Sequence, residues 1–141
     1  MPSGIDILEA SIRMRDMKVD GKKALEVLDK ANNAKANGLD ETALSLYSEY
    51  LSMVDPSFTQ RVWLSMAEIF LKSNRLQEAL VHTSKALEVM KDYLPALELK
   101  KEILKLMGLQ NEAKEIETLT KRLDQEEQAK WDDPNHYYHY K

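Results

Sequence analysis

Apolar residues recur along this chain at helical spacing, in bursts of similar length separated by short polar or glycine-bearing breaks. Trp63, Met66, Ala67 and Phe70 stand at i, i+3, i+4 and i+7, the spacing of one buried helical face. The same reading predicts a helix from Lys22 through Leu25, Leu28, Ala31 and Ala34, stopped at Asn37-Gly38. Its partner runs from about Asp40 to Val54 through Ala43, Leu44, Leu46, Tyr47, Tyr50, Leu51 and Met53. Asp55-Pro56-Ser57 ends that helix, because proline cannot continue it and Asp and Ser favour the next helix start. After Ser73-Asn74 a further helix presents Ala79, Leu80, Thr83, Ala86, Leu87 and Met90. Leu97, Leu104 and Leu106 mark the next, Gly108 stops it, and Ala113, Ile116, Leu119 and Leu123 mark the last. Residues 5–18 carry a weaker stripe (Ile5, Leu8, Ile12), interrupted at Asp20-Gly21.

These bursts form a repeat. Gly38-Leu-Asp-Glu-Thr-Ala43, Asn74-Arg-Leu-Gln-Glu-Ala79 and Gly108-Leu-Gln-Asn-Glu-Ala113 each put a turn residue five positions ahead of an alanine. The alanines are 36 and then 34 residues apart. Val27, Trp63 and Leu97 keep the same steps, as do Ala34, Phe70 and Leu104. A period in this range with helix formers between the turns predicts stacked helix–turn–helix units.

Trp63-x2-Met66-Ala67-x2-Phe70, followed by Ala79 and Ala86, resembles the tetratricopeptide repeat. The outer units depart from that pattern. Val27 and Ala34 stand in the first where Trp and Tyr belong, and Lys101 occupies a normally small position in the third. The resemblance implies an all-α, right-handed superhelix of three helical hairpins over residues 22–127, divided near 22–57, 58–93 and 94–127. An N-terminal helical segment (1–21) precedes them, and an acidic, aromatic C-terminal tail (128–141) follows. The last helix is polar on its outer faces (Glu112, Lys114, Glu115, Lys121, Arg122), as a terminal repeat facing water should be.

Composition narrows the function. The chain has 141 residues, 43% hydrophobic and 31% charged, which allows one domain with a sizeable core. It has no cysteine, so disulfides, thiolate metal sites and cysteine nucleophiles are excluded. No stretch approaches the length of a membrane span, and the N-terminus lacks the basic start and apolar run of a secretory signal. A cytoplasmic protein with no membrane partner is expected. The net charge is −4, and five acids against two bases from Asp124 onward carry most of it. Bases and acids alternate elsewhere, so no clustered cation surface for nucleic acid is expected.

In such repeats the first helix of each hairpin builds the concave wall. The resemblance therefore implies a peptide-binding groove from Leu28, Asn32, Arg61, Leu64, Ser65, Glu68, Leu71, Lys72, Glu98, Leu99 and Glu102. Leucines and mixed charges suit an extended peptide or an amphipathic helix. Some family members grip a chaperone's C-terminal carboxylate with two Lys, two Asn and one Arg. The matching positions here are Leu28, Asn32, Ser65, Pro95 and Leu99, so only Asn32 fits and no such clamp is expected.

No catalytic residues, cofactor or small-molecule substrate are expected. The three histidines (His82, His136, His139) form no Ser-His-Asp order, and neither a phosphate loop nor a His-Glu-x-x-His helix occurs. His82 reads as a partly exposed surface residue. The tail is rich in aromatics for a disordered segment. Trp131, His136, Tyr137, Tyr138 and Tyr140 are therefore expected to contact the repeat array or another molecule. The sequence favours a non-catalytic protein–protein interaction adaptor or assembly factor with a protein or peptide partner. The alternatives are a homo-oligomeric scaffold with its groove filled by a neighbour, and a metal-binding protein using His136, His139 and Asp133.

Overall fold

A computed structural model of the chain describes residues 21–132. Among these residues there are six helices and no strand. Helix α1 covers 21–36, and α2 is Asp40–Met53, α3 Gln60–Lys72, α4 Leu76–Val89, α5 Leu94–Leu106 and α6 Gln110–Asp132. The fold is all-α and consists of helical hairpins. Two compact units divide between Ser57 and Phe58. The first contains the α1–α2 hairpin and the second contains α3–α4 and α5–α6.

One turn closes the first helix of all three hairpins, and its hydrogen bonds explain the sequence repeat. Gly38, Asn74 and Gly108 take φ of 77°, 60° and 79°, the left-handed region where an ordinary side chain is strained. The next amide donates back across the turn: Leu39 N to Ala34 O at 2.9 Å, Arg75 N to Phe70 O at 2.8 Å and Leu109 N to Leu104 O at 2.9 Å. Gly38, Asn74 and Gly108 themselves donate to the carbonyls of Lys35, Leu71 and Lys105. This pair of bonds is the Schellman closure, which satisfies carbonyls that the ending helix leaves open. The alanine five residues on then caps the start of the next helix, with Ala43, Ala79 and Ala113 donating to Leu39, Arg75 and Leu109. Asn74 fills the same role as the two glycines. Gly108→Asn should therefore be nearly neutral, whereas Gly108→Val should cost about 1–2 kcal/mol, readable as a shifted urea midpoint. A β-carbon at 108 meets no atom within 4 Å, so the difference would be backbone strain alone.

The small residues of the repeat are buried in the helix packing. Ala43, Ala67, Ala79 and Ala86 are fully buried, and Ala113 is nearly so. On α3 the buried set is Val62, Met66, Ala67, Ile69 and Phe70, against Ala79, Thr83 and Ala86 on α4. In the third hairpin, Ala96, Leu97, Ile103 and Leu104 of α5 are buried, as are Ala113 and Thr120 of α6. Thr83 turns its hydroxyl back to the Ala79 carbonyl at 2.7 Å, which lets a polar residue lie in the core with its donor satisfied. Pro95 enters at the first turn of α5, where its missing N–H is harmless. In the other unit, Tyr47 is fully buried and donates its hydroxyl to Asn32 Oδ1 of α1 at 2.6 Å.

His82 keeps the partial exposure expected of it, while the reading of the last helix changes. His82 is half-buried, with its ring 4.7 Å from the Phe70 ring centroid and 5.7 Å from that of Trp63. Its Nδ1 lies 2.8 Å from the Glu78 carbonyl, so it is a packing residue of the α3–α4 hairpin. Trp63 accordingly contacts the second helix of its own hairpin. The last helix also continues through 128–132, residues that the resemblance places in the tail. With 23 residues against 13 in α5, α6 overhangs the start of α5 by about 15 Å.

Candidate functional site

Helices α3 and α5, the first helices of the second and third hairpins, lie side by side and leave an open cleft of about 480 Å³. Its position follows from the repeat: the stacked first helices face the same way, and their inward residues recur at i, i+3, i+4 and i+7. From α3, Leu64 and Glu68 enter it, one turn apart. From α5 come Pro95, Glu98, Leu99, Lys101, Glu102 and Lys105. Leu64 and Leu99 are half-buried and supply the apolar floor. The rim carries three acids and two bases.

Charges on the rim are partly paired. Lys101 Nζ lies 2.9 Å from Glu98 Oε2, one turn earlier on the same helix. The hydrogen bond it donates to Glu98 outweighs desolvation and, with the charge of Glu117 on α6, holds the Lys101 ammonium above its ordinary pKa. Lys101 therefore stays charged through the physiological range. Among the described residues, Glu102 has no ion pair, so an incoming cation or N–H could use its carboxylate.

Of the residues expected in a groove, the structure brings together Leu64, Glu68, Glu98, Leu99 and Glu102. Arg61 and Lys72 stand exposed at the two ends of α3, and Ser65 and Leu71 are half-buried; none of these four lines the cleft. Leu28 is half-buried on α1 and Asn32 is exposed there, its Oδ1 occupied by Tyr47. By the repeat pattern Lys101 is a misfit at a small position. Its long stem instead brings the charged head to the rim, and the Glu98–Lys101 spacing was the available signal. Trp131 stands half-exposed in the last turn of α6 and donates Nε1–H to Glu127 Oε1 at 2.7 Å. His136, Tyr137, Tyr138 and Tyr140 lie outside the described residues, as does Asp133 with His139. Among the described residues, no group of three His, Asp or Glu side chains is placed to hold a metal, and no helix is long and apolar enough to cross a membrane.

No protein-family model matches the chain, and no curated protein matches it. Solved structures do. The second tetratricopeptide domain of Spaghetti (RPAP3), bound to the HSP90 peptide SRMEEVD, superposes with a TM-score of 0.68 at 18% identity. The match covers 81% of this chain and 97% of that one. The Arabidopsis OM64 tetratricopeptide domain gives 0.61 at 18% identity, covering 69% and 78%. MamA gives 0.63 at 16% identity, covering 76% and 61%. The chain thus has the tetratricopeptide-repeat fold.

Proposed function

We propose that this chain is a non-catalytic interaction adaptor or assembly factor that seats an extended peptide or a helix in the α3–α5 cleft. The observation that carries this reading is the cleft itself: Leu64 and Leu99 form an apolar floor, open to solvent, inside a rim of both charges. Apolar anchors supply affinity in such a groove, and rim charges set register and partner choice. Glu102 would favour a partner with basic or N–H donor groups, while Lys105 would meet an acid.

Replacing both Leu64 and Leu99 with aspartate should weaken capture of the native partner from cell lysate by at least about tenfold, a change of roughly 1.4 kcal/mol or more. Helicity and melting temperature should change little, since both side chains line the cleft and not the hairpin core. Unchanged capture would sink the proposal, and a large loss of helicity would show these leucines to be core. The peptide SRMEEVD, bound by the RPAP3 domain, serves as a specificity control. A carboxylate loses its hydration on binding and needs fixed cations in exchange. Pro95 and Leu99 line this cleft at two positions where the clamp would have charged or amide groups. Saturable binding of that peptide, lost on amidating its C-terminus, would contradict this assignment.

A further inference from the structure

The surplus length of α6 opens a second cleft, at the opposite end of α5 from the turn that joins the two helices. Its volume is about 830 Å³. Leu94 at the start of α5 and Leu123 and Ala129 on α6 form its floor. Leu94 and Ala129 are exposed and Leu123 is half-buried, so apolar area lies open to water. Around that floor stand Asp92, Asp124, Glu126 and Glu127 against a single base, Lys130. Glu126 lies 3.8 Å from Arg122 Nε, and Glu127 accepts the Trp131 indole N–H. Asp92 and Asp124 have no ion pair among the described residues and are the carboxylates left for an incoming cation.

The repeat explains why this surface is uncovered. Helix α4 packs on α5 of the hairpin that follows it, whereas no hairpin follows α6 among the described residues. Leu123, Glu126, Glu127 and Lys130 fall at i, i+3, i+4 and i+7, on one face of α6 that runs for about 11 Å. We propose that this cleft docks a basic amphipathic helix of a partner protein. Its apolar side chains would cover Leu94, Leu123 and Ala129, and its lysines or arginines would meet Asp92 and Asp124. Long basic side chains suit the site, because their stems cover apolar floor while their heads reach the rim. The acidic rim repels phosphate, which turns away nucleic acid and anionic lipid alike. The walls are helix faces with no free strand edge to pair with an extended backbone, so a helix laid along α6 fits better than a strand.

Fluorescence anisotropy of a labelled synthetic peptide, titrated with the full chain, tests this. The probe is an amphipathic helix with leucines on one face and lysines and arginines on the flanks. One reference replaces its basic residues with glutamate, and the other replaces its leucines with serine. The probe should bind at least about tenfold more tightly than either reference, and added salt should weaken it. Reversing both Asp92 and Asp124 to lysine should weaken the probe by about tenfold or more. Leu94→Gln should also weaken it severalfold, by removing floor area from an exposed position that a good helix former can occupy. Neither change should shift the melting temperature appreciably. Replacing Leu64 and Leu99 with aspartate, which disables the α3–α5 cleft, should leave the probe bound. Equal affinity for the probe and either reference, or no binding, would overturn the proposal. Binding that survives both the charge reversal and Leu94→Gln would overturn it too, as would binding lost only with Leu64 and Leu99, which would seat the probe in the α3–α5 cleft. A concentration-dependent dimer in light scattering, abolished by the charge reversal, would give the cleft to a second copy and would also overturn it.

Discussion

Tyr47→Ala should destabilise the first hairpin by about 3–5 kcal/mol, while Tyr47→Phe should cost only about 1 kcal/mol. Tyr47 is the largest of the fully buried side chains, and truncating it would leave a ring-sized void that a close-packed interior cannot fill without rearrangement. The hydroxyl contributes less, because its acceptor, Asn32 Oδ1, belongs to an exposed residue that water can serve after the substitution. A typical domain is stable by 5–15 kcal/mol in total, so the alanine variant should lose a large share of its folded population. Urea unfolding followed by circular dichroism separates the two effects. Equal losses in both variants would mean that the hydrogen bond, and not the buried ring, holds α1 and α2 together. Because the chain forms two compact units, a separate early transition confined to one of them is an informative form of the same result.

The hairpins were legible because their turns are local. A left-handed residue, the two bonds that close around it and the alanine five positions on are all written within a few residues, and they recur at Gly38, Asn74 and Gly108. Packing partners were less so. Histidine at position 82 carries no apolar label, yet it lies against Phe70 and Trp63 because its polar atom finds the Glu78 carbonyl one turn back. The end of α6 was obscured for another reason. Residues 124–132 have no continuous apolar stripe, but they are rich in good helix formers, and side-chain bonds four residues apart extend the helix: Trp131 to Glu127, and Gln128 to Asp132 at 3.2 Å.

The cleft was half legible. Inward positions on α3 and α5 follow from helical periodicity, which is why Leu64, Glu68, Glu98, Leu99 and Glu102 meet in it. Which residues reach the rim depends on side-chain length and on where each helix ends. Arg61 and Lys72 fall at the ends of α3, outside the walls, while Lys101 reaches in from a position that the repeat pattern reserves for a small residue. The second cleft, lined by Leu94, Leu123 and Ala129 where α6 runs past the start of α5, has no counterpart in the repeat pattern at all. It exists because α6 outlasts α5, and a helix's surplus length is invisible to a periodicity that only registers turns.

Ala79→Leu should lower stability by about 1–3 kcal/mol, the range expected for overpacking a filled core. Position 79 has no exposed surface and lies on the α4 face formed with Thr83 and Ala86, turned toward α3. Leucine is nearly as good a helix former as alanine, so the loss cannot come from helix propensity and must come from pushing the helices apart. Ala79→Ser supplies the control. It adds one atom in place of three carbons, and its hydroxyl can turn to the carbonyl four residues back, as Thr83 does. Serine should therefore cost clearly less than leucine in the same denaturant titration. If leucine at 79 melted with the parent protein, α3 and α4 would not meet at their small residues. The packing logic that links the three alanines of the repeat would then be wrong.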